Sequence, residues 1–227
     1  MKRYADDEHP SVQELAKRLT GDLESDRAGL ERLFLFVRDD IKFGFTNRWN
    51  DLKASEVLLA GVGHCTTKAT LLHSLCRAAG IQSRVHFALI DTNIMRGFVS
   101  KAVLLTMPSH VSHSWTEVKT DGIWHRLDSY IMDRQAFRAC EAALAAKRWR
   151  HGFGVSPFEG KLSCEFNLEE EGFVQMGAVS GDHGVWDEPG DYFASGDYAS
   201  FNGFQMMGFK VLVGGINRKV ELLRSAI

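Results

Sequence analysis

The sequence predicts a mixed α and β chain built round one central helix, and three observations carry that expectation. Apolar residues at helical spacing fill the first third of the 227 residues. A glycine-flanked cysteine, Cys65, then opens a segment that is apolar almost all round and stops at Gly80, the pattern of a helix buried among other elements. Further on, two β-rich runs flank Asp121-Gly122, a pair that favours a two-residue hairpin turn.

Taken in order, Ser11 and Glu14 read as a capping box opening a short helix through Leu19. A second helix is expected from about Asp26, with Leu30, Leu33, Phe34, Val37 and Ile41 recurring on one face. Residues 43–50 read as loop, and Ser55 as the cap of a brief helix over 56–60. Gly61-Val62-Gly63 then gives an unhindered turn into the cysteine helix, where Ala69, Leu72, Cys76 and Ala79 form one apolar face and Leu71, Leu75 and Ala78 a second. Residues 85–90 predict a strand, 91–100 a connection, and 101–107 another extended piece. After the hairpin of 113–128, a helix is expected over about 134–148, closed by Gly152. Residues 161–168 alternate polar and apolar and predict a half-buried strand. The glycine, aspartate and aromatic content of 181–204 predicts a long loop, a form that often makes a cleft wall or lid. Residues 209–213 predict a returning strand before a short charged helix.

Composition bounds the function. The chain is 44% hydrophobic and 25% charged, with a formal net charge of −2, which gives no reason to expect nucleic acid or an anionic membrane as partner. No apolar run approaches a bilayer span, and the N-terminus lacks the apolar core of a signal peptide, so a cytoplasmic protein is expected. Four cysteines without a C-x-x-C pair are too few for a disulfide scaffold and are expected as free thiols. Four prolines and no Pro-rich or Ser-rich linker predict a single domain over residues 1–227, with an elaborated part from about 150.

The chemistry centres on Cys65. At a helix N-terminus, free backbone N–H groups and the macrodipole favour a thiolate, and the Cys65 N–H is a candidate oxyanion donor. In a two-residue hairpin Thr120 faces Ile123 and Glu117 faces Arg126, an opposite-charge pair. His113 and Asp128 are then diagonal neighbours on one face. Cys65, His113 and Asp128 are thus the parts of an acyl-transfer triad: nucleophile, proton carrier, and the carboxylate that holds the imidazole tautomer. A buried structural thiol and an ordinary exposed hairpin pair account for the same residue types. No spacing among His64, Cys65, His73, His110 and His113 fits a zinc motif, and the acidic residues near 182–191 lack a calcium-loop pattern. No metal and no cofactor is expected.

The stretch Gly63-His64-Cys65-Thr66-Thr67-Lys68-Ala69-Thr70-Leu71-Leu72, followed by Arg77-Ala78-Ala79-Gly80-Ile81-Gln82-Ser83-Arg84, resembles the cysteine motif of the transglutaminase-like superfamily. His113-Ser114-Trp115-Thr116-Glu117, then Gly122-Ile123-Trp124 and Asp128, resembles its histidine and aspartate segment, in the family's order. Gln82 stands where proline is usual and Ser114 where alanine is usual; neither carries a catalytic role. The resemblance covers about residues 30–130. It implies a papain-like α+β fold, the cysteine helix packed on an antiparallel sheet, and thiol chemistry on amide carbonyls through Cys65, His113 and Asp128. The implied enzyme is a cysteine peptidase or amidase acting on a peptide or protein amide. A crosslinking transglutaminase, an acyltransferase using a thioester cofactor, and a silent scaffold are the alternatives. Trp49 is positioned in sequence as an oxyanion donor by the same resemblance, but its closeness to Cys65 favours aromatic packing.

Overall fold

In the computed structural model, which describes residues 2–23 and 25–226, two helices open the chain: α1 (Pro10–Thr20) and α2 (Asp26–Asp39). The cap of α1 is His9, not Ser11. Pro10 takes the first helical position, where its missing N–H costs nothing, and His9 Nδ1 accepts from the Ser11 N–H. Ser25 caps α2, and Leu30, Leu33, Phe34 and Val37 are buried along its predicted face.

The predicted loop and glycine turn contain a small parallel ladder. Strand β1 (Lys42–Phe43) precedes helix α3 (Ala54–Ala60), and β2 (Val62–Gly63) follows it, pairing Lys42 with Val62 and Phe43 with Gly63. Ser55 is not the cap of α3; its hydroxyl donates to Asp6 at 2.6 Å, and the Lys53 N–H donates to Glu56 Oε2 at 2.8 Å. Gly61 closes α3 in the left-handed region (φ 62°), which favours glycine. Gly63 serves differently: a Cβ there would come within 2.9 Å of the Thr67 hydroxyl and the Lys68 side chain.

Helix α4 (Cys65–Ala78) is central as expected, with residues 66–76 all buried and Gly80 turning the chain at φ 77°. It packs on α1, α2 and α3 on one side and on the sheet on the other. Lys68, fully buried on α4, donates to the Arg38 and Ile41 carbonyls at 3.2 and 2.8 Å and so satisfies the C-terminal end of α2.

Strand β3 (Ser83–Asp91) follows, then α5 (Lys101–Leu104), where an extended piece was predicted; Ser100 caps this helix by accepting the Val103 N–H. Strands β4 (His110–Thr120) and β5 (Ile123–Leu127) form the hairpin in the predicted register, Thr120 opposite Ile123 and Glu117 opposite Arg126. Helix α6 (Arg134–Lys147) ends on Arg148 in the left-handed region (φ 53°), ahead of Gly152. Residues 161–168 are irregular instead of a strand: the Cys164 carbonyl accepts from Arg38 at 2.7 Å and the Ser163 N–H donates to the Phe173 carbonyl. Strand β6 (Val179–Trp186) runs into the predicted loop of 181–204, and α7 (Pro189–Phe193) lies within it. The sheet is antiparallel, in the order β5-β4-β3-β6.

The predicted strand at 209–213 belongs to one long helix, α8 (Gly203–Arg224). Asn202 and Gln205 form a reciprocal capping box at 2.9 and 3.0 Å, and the buried Phe209, Ile216 and Val220 follow at helical spacing. Its far end returns to β1 and the residues just after it. Asn217 bonds both the N–H and the carbonyl of Phe45, at 2.9 and 2.7 Å. Arg224 holds the Asp133 carboxylate with two prongs, 2.7 and 3.0 Å, and donates to the Phe43 carbonyl. No helix among the described residues is long and apolar enough to cross a membrane.

Candidate active site

Cys65 is the first residue of α4, delivered by β2, whose pairing with β1 fixes the backbone just before the nucleophile. The His64 N–H donates to the Thr67 hydroxyl at 2.9 Å, which locks the entry into the helix. Cys65 is half-buried, and among the described residues its sulfur has two side-chain hydrogen-bond neighbours, His64 Nδ1 at 3.6 Å and the Thr66 hydroxyl at 3.7 Å. The other thiols, Cys76, Cys140 and Cys164, are all buried.

His113 lies in β4 opposite Ala88 of β3 and is fully buried. Neither of its ring nitrogens has a hydrogen-bond partner among the described residues. Asp128, also fully buried, follows the end of β5 directly. Its two oxygens accept the backbone N–H groups of Val174 at 2.6 Å and Gln175 at 2.9 Å. The resting structure therefore brings Asp128 to the 174–175 backbone and does not join it to His113. The expected Glu117–Arg126 pair is not formed either. Glu117 turns to Arg84 and His86, each at 2.7 Å, and Arg126 to Glu171, although the two face each other in the ladder.

Burial dominates the electrostatics. It pushes the Cys65 thiol up, against the Thr66 hydroxyl and the backbone N–H groups of Thr66 and Ser114, which favour the thiolate; the nearby Asp128 charge pushes it further up. His113 is depressed to about 3 by burial, with the His64 ring adding to the effect, and His64 to about 4 by burial. Burial lifts Asp128 to about 7 despite the N–H groups pointing at it. Burial thus works against the thiolate that the helix terminus favours.

Cys65 lines a cavity of about 40 Å³ with an apolar wall that includes Phe45, Trp49, Met95 and Phe201. Trp49 packs in this wall, as the sequence favours, stacking on His64 with centroids 4.7 Å apart; its φ of 54° is unusual for a bulky residue. His64 itself is stacked on Phe45 as well, at 5.1 Å. Sequence reasoning passed over His64 as a neighbour of the sulfur, although its adjacency to Cys65 was a visible signal. The 174–175 backbone carried no signal at all, because ordinary residues supply it. No group of three or more His, Cys, Asp or Glu among the described residues could hold a metal ion.

Residues 13–129, more than half of the chain, match the model of the transglutaminase-like superfamily. No curated protein matches. Among solved structures, a provisionally named cysteine protease from Cytophaga hutchinsonii aligns with a TM-score of 0.50 at 14% identity, over 88% of this chain and 47% of its own. A provisionally named protease from Parabacteroides distasonis aligns with a TM-score of 0.41 at 16% identity, over 56% of this chain and 24% of its own. The chain therefore spans about half the length of the first of these structures and a quarter of the second. The chain belongs to the transglutaminase-like superfamily.

Proposed function

We propose that this member of the transglutaminase-like superfamily is a thiol-dependent acyl-transfer enzyme acting on amide bonds, with Cys65 as nucleophile, His113 as proton carrier and Asp128 as the supporting carboxylate. Hydrolysis, as a peptidase or amidase, is the first reading and crosslinking the second. The observation that carries it is the placement of a half-buried thiol at the N-terminus of α4, lining a cavity, among three otherwise inaccessible cysteines. Four free thiols fit work in a reducing compartment such as the cytosol.

Because burial disfavours the thiolate, the proton moves as the bond forms. The imidazole takes the Cys65 proton, the sulfur attacks the amide carbonyl, and the oxyanion draws on the Cys65 N–H. The amine leaves with the proton from the imidazolium, and water or a second amine resolves the thioester. A second reading gives the base role to His64, and one observation favours it: His64 Nδ1 is the imidazole nitrogen that stands 3.6 Å from the sulfur.

The test is amine release from a mixed library of fluorogenic peptide amides by the wild type and by Cys65→Ala. Turnover lost in the variant, with an acyl adduct on Cys65 seen by intact mass, supports the reading. Adding a primary amine separates transfer from hydrolysis. Turnover unchanged in Cys65→Ala would overturn it.

A further inference from the structure

Beyond the Cys65 cavity lies a second, of about 90 Å³, between α5 and the first half of α8. The two share Trp49, Met95, Met107 and Phe201 in their walls, so one layer of side chains separates the sulfur from the outer cavity. The outer lining carries no charged side chain; Thr106 and Gln205 are its polar members. It reaches the surface at Phe204, which is 79% exposed, and at Leu212, which is 38% exposed. Two of the four shared side chains are methionines, unbranched and flexible enough to move aside for an occupant.

From this arrangement we infer that the acyl side of the substrate carries a large uncharged apolar side chain, seated in the cavity system that runs from Cys65 to α8. The inference rests on the proposed role of Cys65. The acyl group is the part that stays bonded to the sulfur when the amine leaves, so it is the part that a cavity lined by that sulfur must hold. Size sets the occupant: with the two methionines moved aside, the cavities of about 40 and 90 Å³ join into a space on the scale of the ~150 Å³ apolar cavity that takes up benzene. One aromatic ring or a branched aliphatic group fits; a charged side chain would be desolvated without a partner.

The experiment is covalent labelling of the full chain by N-acetyl-aminoacyl chloromethyl ketones, read as the rate of Cys65 adduct formation by intact mass. The thiolate displaces chloride, forming one carbon–sulfur bond. Side chains beside the ketone are benzyl, isobutyl, methyl, carboxymethyl and aminobutyl, and every rate is divided by that of iodoacetamide for the same protein. Benzyl and isobutyl reagents are expected to label about tenfold or more faster than methyl, with both charged reagents slower still. Gly208→Phe adds bulk at a lining position of the outer cavity where an added Cβ meets nothing within 4 Å, and is expected to collapse the benzyl-to-methyl ratio. Val103→Asp, on the opposite wall, is expected to lower the same ratio. Iodoacetamide labelling with equal rates across the five side chains overturns the apolar seat and leaves the thiol reading standing. Failure of every reagent, iodoacetamide included, removes both.

Discussion

His64 Nδ1 stands 3.6 Å from the Cys65 sulfur, while His113, on β4, has no partner for either ring nitrogen among the described residues. In the proposed chemistry, two imidazoles are therefore candidates for the Cys65 proton. With His113 as proton carrier, His113→Ala is expected to slow acylation of Cys65 by about 10²-fold or more, the usual weight of general-base catalysis. His64→Ala is expected to slow it less than about tenfold, through loosened stacking on Trp49. Pre-steady-state amine release measures both; the reverse order assigns the base to His64.

The thiol itself is expected to titrate above the ordinary value of about 8.5, because burial raises it. Thiolate absorbance, taken as the difference between wild type and Cys65→Ser, should rise only on the alkaline side of that value. Cys76 and Cys140 are pushed to about 12 and Cys164 to about 11, so they should remain silent over the same range. A transition in mildly acid solution would mean a preformed thiolate–imidazolium pair.

Acid should destabilise the protein through its buried imidazoles. His64 and His113 are depressed below the unfolded value of about 6.5, to about 4 and about 3, so their contribution is present above pH 6.5 and lost as the pH falls through those values. Asp128 runs the other way: raised to about 7, its contribution is full below about pH 4 and lost as pH rises through 7. Urea midpoints across pH 4 to 7 should fall towards acid in the wild type, less so in His113→Asn. A steeper fall in the variant would contradict the assignment.

Asp128 is also a structural acceptor. Asp128→Ala leaves the N–H groups of Val174 and Gln175 buried without their carboxylate, at a cost of about 2–3 kcal/mol. Thermal unfolding should show the loss. If stability is unchanged, water replaces both bonds and the carboxylate's role lies elsewhere.

Arg224→Ala should destabilise by about 3–5 kcal/mol, since it strands the buried Asp133 carboxylate that also accepts from Phe43 and caps α6. Arg224→Lys should recover part of this and no more, because a single ammonium cannot reproduce the two-pronged contact. Chemical denaturation of the three proteins ranks them directly.

The cysteine helix and the hairpin were legible because local rules govern them: apolar spacing and Gly80 define α4, and Asp121-Gly122 sets the register of β4 and β5. The same register misled about side chains, since Glu117 has better partners in β3 than Arg126. The C-terminal third was read less well. Residues 209–213 look extended from their Val and Leu content, yet Asn202 and Gln205 start a helix that sweeps through them. Residues 181–186, with two glycines and an aspartate, do not look like a strand, but β3 offers an open edge that supplies their pairing. The burial that opposes a Cys65 thiolate was illegible for a related reason: a helix N-terminus is visible in sequence, whereas the wall around it draws on aromatics as far off in sequence as Phe201.

The ties from α8 and Asp133 to Phe43 and Phe45 bear on the order in which the protein comes into being. The superfamily core ends at residue 129, yet the strand that aligns the approach to Cys65 is held by residues 133, 217 and 224. During synthesis, a chain that has emerged as far as the core has its cysteine, histidine and aspartate but not the clasp on β1. The last turns of α8 must leave the ribosome before that clasp closes, and contacts so far apart in sequence are slow to form. Competence of the thiol is therefore expected to arrive with α8, and a product cut back to the core would carry all three side chains without the frame that aligns them.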